Sequence, residues 1–255
     1  MWENPPKMNE PQRGIRLFSF RGTTVDVEIS FLILIGLFVI LDLDRGEPLR
    51  VALLWVPILF LSILLHELGH AAAIGVLGFG QSEIRLAGLG GATMNRRSAG
   101  PWQEIVISVA GPLVSFGISL VSWLILRSTS DSALGPLVAA LLPQLAYANL
   151  AWGVFNLLPI YPLDGGHVVQ QIARKLLAPM TAAKTSAISS LIFAAILIAL
   201  AIPTRQFFLI ILGALFVLQN YQRLTLLKQV SKEDPTSPRT GESGPERHDE
   251  DANQQ

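Results

Sequence analysis

The stretch Leu64-Leu65-His66-Glu67-Leu68-Gly69-His70-Ala71-Ala72-Ala73 decides how this chain is read. It lies inside Ala52–Phe79, a segment otherwise free of ionisable side chains. An apolar run of that length is enough for a helix to cross a bilayer, which takes about 20 residues. In a helix, His66 and His70 stand on one face, about 6 Å apart along the axis. Two imidazoles so placed can hold one zinc ion. Glu67 beside them can act as a general base on a water activated there. An ionisable trio is costly inside a membrane helix, so its presence there is a functional signal.

The surroundings share this character. Of 255 residues, 51% are apolar and only 15% charged. The chain is too hydrophobic for a disordered protein. Without cysteine it has no disulfide framework or thiolate zinc site. Nineteen bases against nineteen acids leave no basic footprint, so nucleic acid is not expected as a partner. Apolar runs predict helices at about 30–42, 51–78, 102–127, 136–158, 185–202 and 206–227. The first is the shortest, with Phe31–Leu41 as its uninterrupted apolar stretch. Val25, Val27 and Ile29 alternate with polar residues and predict a strand within 15–29, with Arg21-Gly22 as the turn before it. Residues 79–100 alternate around Ile84 and Leu86 and then carry Gly88, Gly90 and Gly91, which reads as a hairpin or an irregular Gly loop. The expected fold is an all-α polytopic membrane protein of about six transmembrane helices, with short N-terminal and internal β-hairpin elements. Residues 1–13 are expected to form a disordered arm and 14–230 the membrane-embedded core. Residues 231–255 hold seven acids and three bases and are expected to be a disordered acidic tail.

With six spans, alternate loops collect 15 of the bases on one side and 4 on the other. Cytoplasmic loops are rich in Lys and Arg, so both termini are expected in the cytoplasm, with the plasma membrane as the location. The helix carrying His66 then runs from outside to inside.

A catalytic zinc needs a third protein ligand and an open position. The remaining histidines are His167 and His248, the latter in the tail. The better candidate is Asp164, in Asn156-Leu-Leu-Pro159-Ile-Tyr-Pro162-Leu163-Asp164-Gly165-Gly166. Pro159 and Pro162 end a helix there, and the Gly pair permits a sharp turn. The residues alone leave Asp164 open as a ligand or as the N-cap of the next helix. His167 reads as a helix-start residue or a partner of a ligand. The orientation derived from charge places His66, His70 and the Asp164 loop at compatible depths.

HELGH in a membrane helix, followed by Asn-x-x-Pro-x-x-Pro-Leu-Asp-Gly-Gly, resembles the site-2 protease family of intramembrane zinc metalloproteases. The resemblance covers roughly residues 15–225 and includes Ala110-Gly111-Pro112 and Gly90-Gly91. It implies one zinc ion per chain on His66, His70 and Asp164, with Glu67 as catalytic base. It also implies that Asn156 lines the site and hydrogen-bonds the oxyanion. The expected activity is a zinc metalloendopeptidase that cuts transmembrane or membrane-anchored proteins. A membrane protein that keeps the zinc for assembly or binding is the alternative, against which the intact Glu67 argues. Asn149, seven residues before Asn156, shares its helical face and reads chiefly as a helix-packing residue.

Residues 83–93 have two readings: a strand edge that holds an unwound substrate, or a Gly-rich connection. Helices 185–202 and 206–227 read equally as a lateral gate or as lipid-facing packing. Glu104 follows Pro101 and suits a first helical turn. No loop is long enough for a PDZ-like or regulatory domain, so a minimal protease core is expected.

Overall fold

The computed structural model describes residues 14–20, 22–88, 90–95, 99–129 and 131–233. The expected arm, 1–13, and the tail from 234 onward lie outside the described residues. The chain begins with strands β1 (Gly14–Phe20) and β2 (Thr23–Glu28), then helix α1 (Ile29–Asp44). A short helix, α2 (Leu49–Ala52), leads into α3 (Trp55–Val76). Strands β3 (Ser82–Ala87) and β4 (Gly90–Asn95) follow, then α4 (Pro101–Ser128) and α5 (Asp131–Asn156). The chain ends with α6 (Asp164–Leu176), α7 (Pro179–Ala201) and α8 (Phe207–Glu233).

Among the described residues, five helical stretches are long and apolar enough to cross a bilayer: Leu49–Val76, Pro101–Ser128, Leu134–Asn156, Pro179–Ala201 and Phe207–Ser231. The chain is a polytopic membrane protein. The expected sixth span, α1, has 16 residues and is about 24 Å long, short of the roughly 30 Å hydrocarbon core. Its far end is fixed by Asp42, which accepts a 2.8 Å hydrogen bond from Trp55 Nε1 at the start of α3. The two helices therefore run antiparallel. Helix α5 is broken at Gly135, where φ is +70°, so its regular part starts near Pro136. Helix α7 begins at Pro179, earlier than the hydropathy indicates, because Pro179 suits a first turn. Helix α8 continues through Glu233, past the residue where the composition turns polar.

The strands form one sheet in the order β1-β2-β3-β4, with β2 and β3 parallel and the outer pairs antiparallel. Both expected strand regions are present, but their union is new. The parallel pairing sets Val25 beside Ile84 and Val27 beside Leu86. These side chains join Phe31, Ile58 and Ile63 in one buried cluster. The sheet thus sits where α1 begins and α3 ends. Small residues let the helices approach, as expected where lipid removes the usual hydrophobic drive. Gly69 packs on the Ala110 backbone. Ser119 Oγ donates to Ala146 O at 2.8 Å, tying α4 to α5. A second apolar cluster, Ile160, Leu163, Ala194, Leu212 and Phe216, supports the α5–α6 loop from α7 and α8.

Candidate metal centre

His66, Glu67 and His70 are all buried on α3, and Asp164 is the first residue of α6. The structure brings three of them together. His66 Nε2 lies 3.2 Å from His70 Nε2 and 3.2 Å from Asp164 Oδ2. His70 Nε2 lies 3.4 Å from Asp164 Oδ1. Donors at 2.0–2.1 Å from a tetrahedral zinc stand about 3.3 Å apart, so this triangle has the size of one zinc face. Among the described residues, His66, His70 and Asp164 form the one group of this kind. The cluster is capable of holding a single zinc ion.

The imidazoles are held by their other nitrogens. His70 Nδ1–H donates to Ile107 O at 2.7 Å, because a carbonyl only accepts. That leaves Nε2 with a free lone pair, the form a metal requires. His66 Nδ1 pairs with Ser115 Oγ at 3.0 Å. Both partners belong to α4, which comes close because residue 111 is glycine. A Cβ there would collide with both imidazole Nε2 atoms.

Asp164 is aimed by its loop. Leu163 is the N-cap and extended, and Asp164 falls in the first turn, so the N-cap alternative does not describe it. The Gly pair works differently from the expected sharp turn. Neither glycine has positive φ. A Cβ at Gly165 would strike the carbonyls of Leu157 and Leu158, and one at Gly166 would strike the backbone of Ile160 and Tyr161. The glycines let α6 start against the turn that precedes it. Two further helices clamp this turn. Tyr161 N–H donates to Ser190 Oγ at 2.8 Å, and Asn220 Nδ2 donates to Tyr161 O at 2.6 Å. His167 packs on the Tyr161 ring at 4.9 Å, outside the triangle, and burial lowers its pKa.

Glu67 stays out of the ligand group. Its Oε2 accepts a 2.7 Å hydrogen bond from Thr93 Oγ1 on β4. The same hydroxyl is 3.1 Å from the Glu67 carbonyl. Gly91, two residues earlier on the same face, leaves room for the Glu67 side chain, which a Cβ there would meet. The sequence reading missed Thr93, Ser190 and Asn220. Asn156 is buried and spends one amide hydrogen on Trp152 O at 3.0 Å. The Trp152 ring itself stands 6.3 Å from the His66 ring. Asn149 packs helices, donating to Ser62 Oγ of α3 at 2.8 Å. Glu104 lies in the first turn of α4.

A profile described as Peptidase family M50 matches residues 131–200. A second, described as Peptidase M50B-like, matches residues 32–163, just over half of the chain. The chain belongs to the M50 peptidase family. The M50B-like match takes in α3 and the loop up to Leu163, and the M50 match takes in that loop and Asp164. A zinc metalloprotease of Methanocaldococcus jannaschii is 32% identical over 174 residues, covering 68% of this chain and 50% of that protein. Stage IV sporulation protein FB of Bacillus subtilis is 28% identical over 141 residues, 54% of this chain and 47% of that protein. This M50 chain therefore spans about half the length of these curated relatives. The solved site-2 protease from Methanocaldococcus jannaschii superposes with a TM-score of 0.61 at 27% identity, covering 83% of this chain and 95% of that one.

Proposed function

We propose that the chain is an intramembrane zinc metalloendopeptidase that hydrolyses peptide bonds of transmembrane or membrane-anchored proteins. One observation carries this reading: a zinc-sized triangle of two imidazoles and a carboxylate has a second carboxylate beside it, held by its own hydrogen bond. His66, His70 and Asp164 hold the ion in this proposal. When bound, zinc supplies a Lewis acid that polarises a carbonyl and acidifies water.

The chain's residues do the rest. Glu67 takes a proton at a carboxylate oxygen and returns it to the leaving amine nitrogen. Thr93 holds that carboxylate in one direction. Asn156 uses one amide hydrogen on Trp152, and the other is available to an oxyanion on the substrate. Residues 14–230 form the core in this proposal. The basic end of the bundle faces the cytoplasm under the positive-inside rule, with the plasma membrane as the location.

The test is purified full chain, reconstituted with a panel of end-tagged single-span membrane proteins. Wild type, Glu67→Gln and Asp164→Asn are compared for zinc content and cleavage. The proposal expects one zinc per wild-type chain, zinc retained but cleavage lost in Glu67→Gln, and zinc weakened in Asp164→Asn. Cleavage that survives Glu67→Gln overturns the mechanism. Full zinc without cleavage of any substrate favours the binding protein over the protease.

A further inference from the structure

Trp152 of α5 stands between two parts of the metal centre. Its indole lies edge-on to the His66 imidazole, with ring centroids 6.3 Å apart and planes at 78°. It also occupies the place of a side chain at Gly90, the first residue of β4. A Cβ there would come within 2.6 Å of two atoms of the six-membered ring. Gly91, the next residue, makes room for Glu67 in the same way. Trp152 and Glu67 thus meet β4 at successive residues. One turn further along α5, on the same helical face, Asn156 is tied to the Trp152 carbonyl.

The polar atom of this ring is unused. Among the described residues, five buried side-chain nitrogen or oxygen atoms have no hydrogen-bond partner: Gln144 Oε1, Asn149 Oδ1, Trp152 Nε1, Asn220 Oδ1 and Arg223 Nη1. Three of them belong to side chains anchored through another atom, Asn149 to Ser62, Asn220 to Tyr161 and Arg223 to Gln170. Gln144 stands about 12 Å before Trp152 along α5, away from the metal centre. An indole has one polar atom, which donates and cannot accept. Burying it unpaired costs free energy that a phenylalanine in the same place would not. Trp152 Nε1–H is therefore an orphaned donor, set beside the reacting groups.

We infer that Trp152 is a substrate-binding residue, whose indole N–H donates a hydrogen bond to a backbone carbonyl of the substrate next to the scissile bond. This rests on the protease reading given above. The two partners are complementary. A substrate helix that unwinds in the bilayer frees carbonyl oxygens, each an acceptor in a medium without donors. The scissile bond must lie against the His66–His70–Asp164 triangle and within reach of Glu67. The residues beside it then pass the indole, which adjoins both His66 and β4. The buried N–H gains its acceptor when the substrate arrives. Asn156 serves the scissile carbonyl in the proposed mechanism, and Trp152 serves a neighbour, so its bond forms before the reaction and persists through it. Such uniform binding lowers KM without raising kcat.

The test exchanges the N–H alone. In the full chain, an amber codon at Trp152 admits either benzothienylalanine, in which sulfur replaces the N–H, or a fluorotryptophan, which keeps it. Each chain is reconstituted in vesicles with the panel of end-tagged single-span proteins, and KM, kcat, zinc content and zinc-free melting temperature are measured. On a panel member that wild type cleaves, the benzothienyl chain is expected to show KM raised about 5- to 10-fold, the weight of one ordinary hydrogen bond. Its kcat, zinc content and melting temperature are expected to stay at wild-type values, and the fluorotryptophan chain to match wild type throughout. An unchanged KM in the benzothienyl chain overturns the inference while the protease reading stands. If its melting temperature falls as well, the N–H belongs to the fold. A rise in KM shared by the fluorotryptophan chain also overturns the inference, since ring size rather than the N–H then sets it. If wild type cleaves no panel member, the protease reading fails and the inference falls with it.

Discussion

Gly111→Ala should remove the metal without unfolding the chain. An alanine Cβ would stand 2.8 Å from His66 Nε2 and closer still to His70 Nε2. A comfortable contact is about 3.5 Å, so the His66 nitrogen must retreat by about 0.7 Å and that of His70 by more. Metal ligands tolerate about 0.2 Å. Both groups are the far ends of side chains, so the rings can rotate away while the backbone stays. Alanine also favours the interior of α4 by about 1 kcal/mol over glycine, which offsets the lost contacts of the rings. Zinc affinity should fall at least about a hundredfold, the upper range for changes around a ligand. Zinc per chain is measured after dialysis against a graded chelator, alongside thermal unfolding of the zinc-free proteins. The expected pair of results is lost zinc with a zinc-free melting temperature close to wild type. Full zinc retention would refute the geometry. A collapse of the zinc-free fold would refute the claim that the rings, rather than the helices, absorb the collision.

Two other changes probe the supports of the site. Thr93→Val should leave zinc bound and KM unchanged but lower kcat about 10- to 100-fold, as expected from about 1.5–3 kcal/mol for a hydrogen bond to a charged group; Thr93→Ser should restore most of it, and equal loss in both variants would sink the role. Asn220→Leu should loosen the Asp164 loop by leaving Tyr161 O without its 2.6 Å donor, weakening zinc about tenfold in a chelator titration, and wild-type affinity would count against the clamp.

What was readable in the sequence is what depends on short spacing. His66 and His70 are one helical turn apart, and their burial follows from the apolar run around them. Asp164 was readable because two prolines and a Gly pair mark a corner. The purpose of the Gly pair was not, since sequence cannot distinguish a glycine that turns from one that makes room, and Gly165 and Gly166 make room. Thr93, Ser190 and Asn220 were hidden for another reason. Each acts on a residue 26 to 59 positions away, and a lone threonine or asparagine in a strand or apolar helix carries no local signal. The parallel pairing of β2 with β3 has the same cause: hydropathy shows that Val25 and Ile84 are core residues but not that they are neighbours. The extent of α1 was readable, about 30–42 against Ile29–Asp44, but its apolar run does not show that Asp42 is tied to Trp55.

The proposed orientation constrains where a substrate can be cut. Four basic segments meet at one end of the bundle. The sheet joins the start of α1 to the end of α3, Lys175 of α6 lies 3.3 Å over the Trp102 ring at the start of α4, and Arg223 of α8 donates to Gln170 at 2.6 Å. Charge had grouped the same loops without any contact being known. From His70 to the end of α3 at Val76 is about 9 Å, and from His66 about 15 Å. In the proposed orientation the metal site would therefore lie within the half of the bilayer nearest the basic end. A substrate span must lose its helical hydrogen bonds in that half to present a peptide bond, and the freed donors and acceptors need partners in a medium that offers none. The outer edge of β4, last in the sheet order among the described residues and set over Glu67 by Thr93, is backbone that could supply them. Of the two readings of residues 83–93, this favours the substrate edge over a plain connection. Proline placed on the outer edge of β4, at a position where no sheet hydrogen bond is lost, should therefore reduce cleavage of helical spans more than cleavage of an already extended peptide; an equal effect on both would return β4 to a purely structural part.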